Sequence, residues 1–88
     1  MEALSQVREA LLAMHRRGVA HGDVRLPNLA WDPAARQAFV LDLSHALALR
    51  DAASPVEFNA ECRADLQRVA ELVEDARARA GPPARLVR

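Results

Sequence analysis

Two oxygen-bearing side chains, Asn28 and Asp42, stand at the two ends of a segment that the sequence predicts to be a β-hairpin. Two apolar runs, residues 29–31 and 39–41, enclose the turn-forming segment 32–37, which begins with Asp-Pro. Amide and carboxylate oxygens are the ligands that hard cations such as Mg²⁺ prefer. If the hairpin brings its two ends together, the sequence predicts a shared cation site there.

Alternation along the two strands predicts the register of this hairpin. Antiparallel pairing of Trp31 with Phe39 places the large apolar side chains of both runs on one face, and burial of one face determines register. The same register places Asn28 directly opposite Asp42. Two oxygen ligands would then meet at one end of the hairpin, as a shared metal requires.

The loop before the hairpin, from His21 to Asn28, reads His-Gly-Asp-Val-Arg-Leu-Pro-Asn, and Asp42 follows the second strand. This order resembles the catalytic centre of the protein-kinase-like phosphotransferases, in which a His-x-Asp-x-x-x-x-Asn loop precedes a hairpin that ends in a metal-binding Asp. The resemblance implies that Asp23 accepts the proton of the substrate hydroxyl and that Arg25 stabilises charge on the transferred phosphate. It also implies that Asn28 and Asp42 hold Mg²⁺ beside ATP.

Two helical segments should position this loop. Apolar residues at helical spacing predict a helix over residues 2–17, closed by Gly18. Ser54 and Glu57 form a cap signature for a helical segment over residues 55–80. The apolar positions are Leu4, Val7, Leu11 and Met14 in the first segment and Leu66, Val69, Ala70, Val73 and Ala76 in the second.

These elements predict one small domain over residues 1–88, of the α+β class and mostly helical. The resemblance implies a partial kinase-like C-lobe, with two or more helices flanking a short β-hairpin. In that arrangement residues 21–28 form the catalytic loop and residues 29–42 the hairpin. Asn59 leaves open a further helix start within the last segment. Asp65 stands roughly where kinases place a buried Asp that braces the catalytic loop.

The chain departs from the protein kinases at several positions. Gly22 replaces an Arg that many of them carry, which makes the motif similar to aminoglycoside and choline kinases and to some fungal kinase-like proteins. Arg25 stands where protein kinases place a phosphate-contacting Lys, and Leu43-Ser44 replaces Phe-Gly after the metal-binding Asp. The chain contains no Lys and only 3 Gly, so it holds neither a strand Lys nor a Gly-rich phosphate loop.

We therefore expect a fragment or remnant of an ATP-dependent phosphotransferase, whose isolated chain is inactive because the nucleotide-clamping N-lobe is missing. The alternative is a noncatalytic, pseudokinase-like relic or helical interaction module that keeps the loop as a scaffold. The face left by the missing N-lobe should be apolar, which favours a protein partner or self-association.

Charge and cysteine content limit the partners and the cellular setting that we expect. Twelve acidic and twelve basic residues give a net charge of zero, so no nucleic acid or anionic membrane partner is expected. No signal peptide or membrane span is evident, and the single Cys62 indicates a reducing, cytoplasmic setting. His15, His21 and His45 with Cys62 match no compact zinc spacing. We expect His21 to be a structural residue that hydrogen-bonds to backbone.

Overall fold

The computed structural model of the chain describes residues 2–80 and has an α+β fold, as the sequence predicted. A short 3₁₀ turn at residues 26–28 precedes the hairpin, and another at residues 49–51 precedes the last helix. The main elements are α1 (Glu2–Arg16), β1 (Val19–Ala20), β2 (Leu29–Asp32), β3 (Gln37–Val40), β4 (Leu47–Ala48) and α2 (Pro55–Ala80). Strand β1 pairs with β4 and β2 with β3, both antiparallel.

Helix α1 packs one side of its surface against α2 and β3. Val7 and Leu11 are buried at the centre of this side, and partly buried residues continue the same stripe. Gly18 follows the helix with a φ of +82°, the left-handed conformation that commonly ends helices. The predicted periodicity and the glycine stop are both confirmed, although the helix ends at Arg16 instead of residue 17.

Helix α2 begins at a hydrogen-bonded cap. Ser54 Oγ accepts the backbone N–H of Glu57 at 3.1 Å, and Glu57 Oε1 accepts the N–H of Ala53 at 2.6 Å. From this cap α2 continues as one helix, so the second start considered at Asn59 is wrong. An Asn costs less than about 0.7 kcal/mol in a helix relative to Ala. That cost is too small to interrupt a helix in which the neighbouring Phe58 is buried.

The outward side of α2 is charged. Arg77 forms an ion pair with Glu74, one turn away, at 3.3 Å. Exposed pairs of this kind contribute at most about 1 kcal/mol, so the helix depends on its buried side for stability. Across residues 2–80, neither helix has the length and apolar character that crossing a membrane requires. The exposed charged residues of this side include Arg63, Arg68, Glu71, Glu74 and Arg77.

The hydrophobic core joins both helices to the loop that precedes β2. Val24, in the middle of that loop, is 3% exposed and belongs to the same buried cluster as α1 and α2. Burial of one aliphatic side chain contributes about 1.5–3 kcal/mol, so Val24 anchors the loop to the domain. The other buried members of the cluster are Val7, Leu11, Ala38, Val69 and Leu72.

The register of the hairpin differs by one residue from the prediction. Trp31 lies opposite Ala38 instead of Phe39, and Leu29 lies opposite Val40. A slip of one residue exchanges the side chains that face the core with those that face outward. Phe39 is therefore 47% exposed, whereas Ala38 is buried.

Helix α1 accounts for this register. Gln6 Oε1 accepts the N–H of Ala38 at 2.8 Å, and Gln6 Nε2 donates to the carbonyl of Arg36 at 2.8 Å. The small side chain of Ala38 lets β3 approach the helix closely, whereas a Phe ring at that place would hold the strand away. Alternation within the two strands carries no information about this contact with α1.

Candidate functional site

Asp65 of α2 braces the backbone of the loop over residues 21–28. Its carboxylate is 2% exposed and accepts the N–H of His21 at 2.7 Å through Oδ2 and the N–H of Gly22 at 3.0 Å through Oδ1. His15 Nε2 lies 2.8 Å from Oδ2, so this nitrogen carries a proton and donates it to the carboxylate. Asp65 thus ties the start of the loop to both helices, the bracing role that the resemblance implied.

His21 connects the loop to the end of the hairpin. Its side chain is fully buried, and Nδ1 accepts the N–H of Asp23 at 3.1 Å. Nε2 therefore carries the ring proton and donates to the carbonyl of Leu41 at 2.8 Å. Both ring nitrogens are engaged with backbone, which confirms the structural role predicted for His21.

Asp23, Arg25 and Asn28 lie together on the loop. Asn28 Nδ2 donates to Asp23 Oδ2 at 2.9 Å and to the Asp23 carbonyl at 2.8 Å. Arg25 Nε lies 3.1 Å and 3.3 Å from the two carboxylate oxygens of Asp23. The 3₁₀ turn, which contains Pro27, brings Asn28 back over the start of the loop. Because the amide nitrogen of Asn28 is engaged, its oxygen Oδ1 is the atom that can face a cation.

The surroundings of Asp23 keep its carboxyl group ionised. Partial burial raises the pKa of Asp23, but hydrogen bonds from Asn28 and Arg25, together with the charge of Arg25, lower it by more. The pKa of Asp23 therefore lies below its usual range. At neutral pH Asp23 is a weakly basic carboxylate, suited to orienting a hydroxyl group through a hydrogen bond.

Asp42 lies two residues after the end of β3. Its φ is +60°, a left-handed conformation that Asp adopts more readily than most residues. Asp42 Oδ1 accepts the hydroxyl of Ser44 at 2.6 Å and the N–H of Ser44 at 3.0 Å. These two hydrogen bonds outweigh the opposing effect of burial and lower the pKa of Asp42. The carboxylate is therefore charged and held in one orientation.

Asn28 does not lie directly opposite Asp42, as the predicted register required. The N–H of Leu41 donates to the Asn28 carbonyl at 2.7 Å, so Leu41 is the residue that pairs with Asn28. Asp42 follows one position later. The cause is the same one-residue slip that exposes Phe39. Asn28 and Asp42 nevertheless flank the same end of the hairpin.

A chain of polar side chains connects Asp42 with Asp23. The hydroxyl of Ser44 donates its only hydrogen to Asp42, and Ser44 Oγ lies 3.3 Å from His45 Nδ1. Nδ1 must therefore carry a ring proton, and it lies 3.7 Å from Asp23 Oδ2. Sequence reasoning did not place His45 in this site. The position of His45, three residues after Asp42 in the sequence, is the feature that could have indicated it.

Gly22 makes room for this turn. Its φ is +87°, and a Cβ atom at this position would lie 2.3 Å from the carbonyl oxygen of His45. No side chain fits there without moving the backbone. The sequence alone indicated Gly22 as a replacement of Arg that makes the motif similar to aminoglycoside and choline kinases, and it gave no packing role for this residue. The structure gives it a packing role, because the turn over residues 43–46 lies directly on the loop.

A cleft of about 150 Å³ opens beside Asp23, between the loop and α2. Arg25 lines it from the loop, and Glu61 and Arg68 line it from the helix. Arg68 Nε also donates to the carbonyl of Val24 at 3.3 Å, which holds this wall against the loop. The cleft gives a small group access to the Asp23 carboxylate. Neither helix residue was predicted as part of the site, because only the fold brings α2 here.

The donor atoms of Asn28 and Asp42 suit a hard cation. Among the described residues, no three His, Cys, Asp or Glu side chains gather closely enough to hold a metal by themselves. Mg²⁺ needs only one or two protein oxygens when phosphate oxygens and water complete its coordination. One amide oxygen and one carboxylate fit that requirement. They do not fit zinc, which takes four nitrogen or sulfur ligands in its structural sites.

Comparisons of this chain with models of known protein families, with characterised proteins and with solved structures find no match. The resemblance to the protein-kinase-like phosphotransferases therefore rests on the loop over residues 21–28, on Asp42 and on the contacts around them. Among those contacts, the brace from Asp65 joins two consecutive N–H groups of the loop to a side chain more than 40 residues away in the sequence.

Proposed function

We propose that this chain carries the catalytic-loop half of an ATP-dependent, protein-kinase-like phosphotransferase, as a fragment or remnant of such an enzyme. Asp23 would accept the proton of the acceptor hydroxyl, and Asn28 and Asp42 would hold Mg²⁺. The observation that carries this proposal is the brace from Asp65, whose buried carboxylate holds two consecutive N–H groups of the loop. That brace supports the loop in the conformation that joins Asp23 to Asn28.

In this proposal each polar residue of the loop has its own role in phosphoryl transfer. Asp23 is a carboxylate at neutral pH and faces the cleft, so it can orient a hydroxyl that enters there. Arg25, held against Asp23, adds positive charge where a phosphoryl group would pass. Asn28 and Asp42 supply oxygen donors at the adjacent end of the hairpin. Bound Mg²⁺ would neutralise charge on the phosphate oxygens.

The alternative proposal is a noncatalytic relic or helical interaction module. It is favoured by the absence of Lys from the sequence and by its three scattered glycines, which provide no phosphate-binding loop. It is also favoured by exposed apolar side chains on the second strand of the hairpin and just after it, since Phe39 is 47%, Leu41 45% and Leu43 59% exposed. A protein partner or a second copy of the chain would cover this surface.

A cytoplasmic setting belongs to the same proposal. Cys62 is the only cysteine, so the chain forms no internal disulfide. Burial and the nearby charge of Asp65 raise the pKa of the Cys62 thiol. The thiol is therefore protonated at neutral pH and reacts slowly with oxidants.

Titration with Mn²⁺, a paramagnetic substitute for Mg²⁺, tests the proposed metal site. We expect weak binding, because water would complete most of the coordination shell, and broadening of NMR signals centred on Asn28 and Asp42. Asp42→Asn should reduce this broadening. Asp32→Asn is the matched control, because Asp32 is an exposed Asp on the same hairpin and also accepts a local N–H, that of Ala34 at 3.0 Å.

Equal broadening in the wild type and in Asp42→Asn would show that Asp42 is not a ligand. Broadening centred on another part of the chain would contradict the proposed site as a whole. A loss of broadening in Asp32→Asn as well would show that the effect follows net charge and not a particular carboxylate.

A further inference from the structure

The hydrogen bonds of the hairpin show which backbone groups of β2 point away from β3. The N–H of Leu41 donates to the Asn28 carbonyl. In an antiparallel pair, positions that exchange hydrogen bonds alternate with positions that do not. Ala30 therefore bonds with Phe39 inside the hairpin, and the N–H and C=O groups of Leu29 and Trp31 point to the outer edge of β2.

The backbone groups on the two edges of this hairpin have different hydrogen-bond partners. On the β3 edge, Gln6 of α1 accepts the outward N–H of Ala38 at 2.8 Å. On the β2 edge, the N–H of Leu29 donates to the carbonyl of Leu26, at the end of the 3₁₀ turn. The N–H and C=O of Trp31 take part in no hydrogen bond found among residues 2–80. Helix α1 packs against β3 and occupies part of that edge, whereas the β2 edge is open at Trp31.

Strand β2 has few of the usual protections of an open edge. Natural edge strands carry charges, prolines or bulges that discourage pairing with another chain. Asp32 at the end of the strand is charged and Pro33 follows it, but residues 29–31 carry neither a charge nor a proline. Ala30 and Trp31 are both exposed, and the chain has no net charge that would keep two copies apart.

We propose that a second copy of this chain pairs with β2 in antiparallel fashion, with Ala30 on the two-fold axis. In this register the N–H of Trp31 in each copy donates to the carbonyl of Leu29 in the other. A register with Trp31 opposite Trp31 would place that carbonyl opposite Pro33, which has no N–H to donate. The two small Ala30 side chains meet at a non-hydrogen-bonded position, where strands approach most closely.

The side chains along β2 support this pairing over a purely backbone contact. Trp31 is 38% exposed beside an apolar groove of about 250 Å³, and Leu26 next to it is 50% exposed. In the proposed register Trp31 of one copy lies beside Leu29 of the other, which covers part of this surface. A pair of four-residue strands buries less than the roughly 1,200 Å² that stable complexes bury, so we expect a weak, concentration-dependent dimer.

Charge placed at position 30 tests this register specifically. Ala30→Lys puts two ammonium groups directly opposite each other across the axis, and Ala30→Glu does the same with carboxylates. Each should weaken dimerisation about ten-fold or more, because like charges directly opposite on paired strands repel. An equimolar mixture of the two variants should associate again. Ala34→Lys, on the exposed turn, is the matched control and should dimerise like the wild type.

Sedimentation over a concentration series measures these outcomes, and circular dichroism checks that each variant folds. A cross-link gives an independent measurement. In a Cys62→Ser background, Ala30→Cys should form a disulfide-linked dimer on oxidation, because close strand pairs lie within disulfide reach, whereas Ala34→Cys should not. A wild type that stays monomeric into the millimolar range would overturn the proposal. So would dimerisation of Ala30→Lys as strong as that of the wild type, or a mixture of the charged variants that gains nothing.

Discussion

Replacing Asp65 with Asn should destabilise the whole domain, because three donors converge on the carboxylate of Asp65. The N–H groups of His21 and Gly22 and the Nε2–H of His15 share its two oxygens. An Asn side chain offers one acceptor oxygen and turns an NH₂ group toward the remaining donors. Each buried donor left without an acceptor costs about 1–3 kcal/mol. We expect a loss of about 3 kcal/mol, from a total of roughly 4–12 kcal/mol for a domain of this size.

Urea unfolding followed by the fluorescence of Trp31 and by circular dichroism measures this loss. Asp75→Asn is the matched control, since Asp75 is an exposed residue on the same helix. It should change the free energy of unfolding by less than about 0.5 kcal/mol. The NMR signal of the Gly22 amide should also move in Asp65→Asn, because its acceptor is the replaced group.

Equal stability of Asp65→Asn and Asp75→Asn would refute this reasoning. It would mean that the loop is not held by the buried carboxylate, and the main support for the proposed function would be lost. If Asp65→Asn is destabilised but the NMR signal of the Gly22 amide does not shift, the lost stability comes from another part of the core.

Gly22→Ala should lower the free energy of unfolding by about 1–3 kcal/mol, because the added Cβ would lie 2.3 Å from a carbonyl oxygen. In Gly18→Ala the nearest atom would lie 3.6 Å from the Cβ, so this variant should lose only about 1 kcal/mol, from the strain of the left-handed backbone. Urea unfolding of both variants measures the difference. Ser44→Ala should raise the pKa of Asp42 toward its usual value, which NMR titration measures. A lowered pKa in the folded state gives stability that is lost as pH falls through that pKa, so the wild type should lose more stability than Ser44→Ala below about pH 4. The 88-residue chain should transfer no phosphate from ATP to mixed protein and aminoglycoside acceptors, because nothing in its sequence clamps the triphosphate; turnover that Asp23→Asn abolishes would contradict this.

Local features of the fold could be predicted from the sequence because neighbouring residues determine them. The stripe of α1 depends on spacing alone, and the start of α2 depends on Ser54 and Glu57, three residues apart. The register of the hairpin depends on α1, a distant element. Both Ala38 and Phe39 are apolar, so alternation allows either to face inward, and only the contact with Gln6 distinguishes them.

The candidate site divides in the same way. Asp23, Arg25 and Asn28 lie within one short loop, and sequence reasoning brought them together correctly. Glu61 and Arg68 line the cleft because α2 packs behind the loop. No local sequence pattern predicts this packing. The predicted position of Asp42 relative to Asn28 was wrong because it was derived from the predicted register of the hairpin.

The burial of Val24 between Asp23 and Arg25 has a consequence for how the molecule moves. Because that side chain is part of the core shared by both helices, the loop has no independent route to open while the core stays closed. Its hydrogen-bonded amides at the start of the loop, those of His21, Gly22 and Asp23, should exchange with solvent deuterium only when the entire domain unfolds, at the same slow rate as those of Leu11 and Val69. The charged groups of the loop would then share the lifetime of the folded state itself. In most proteins, loops open far more often than that.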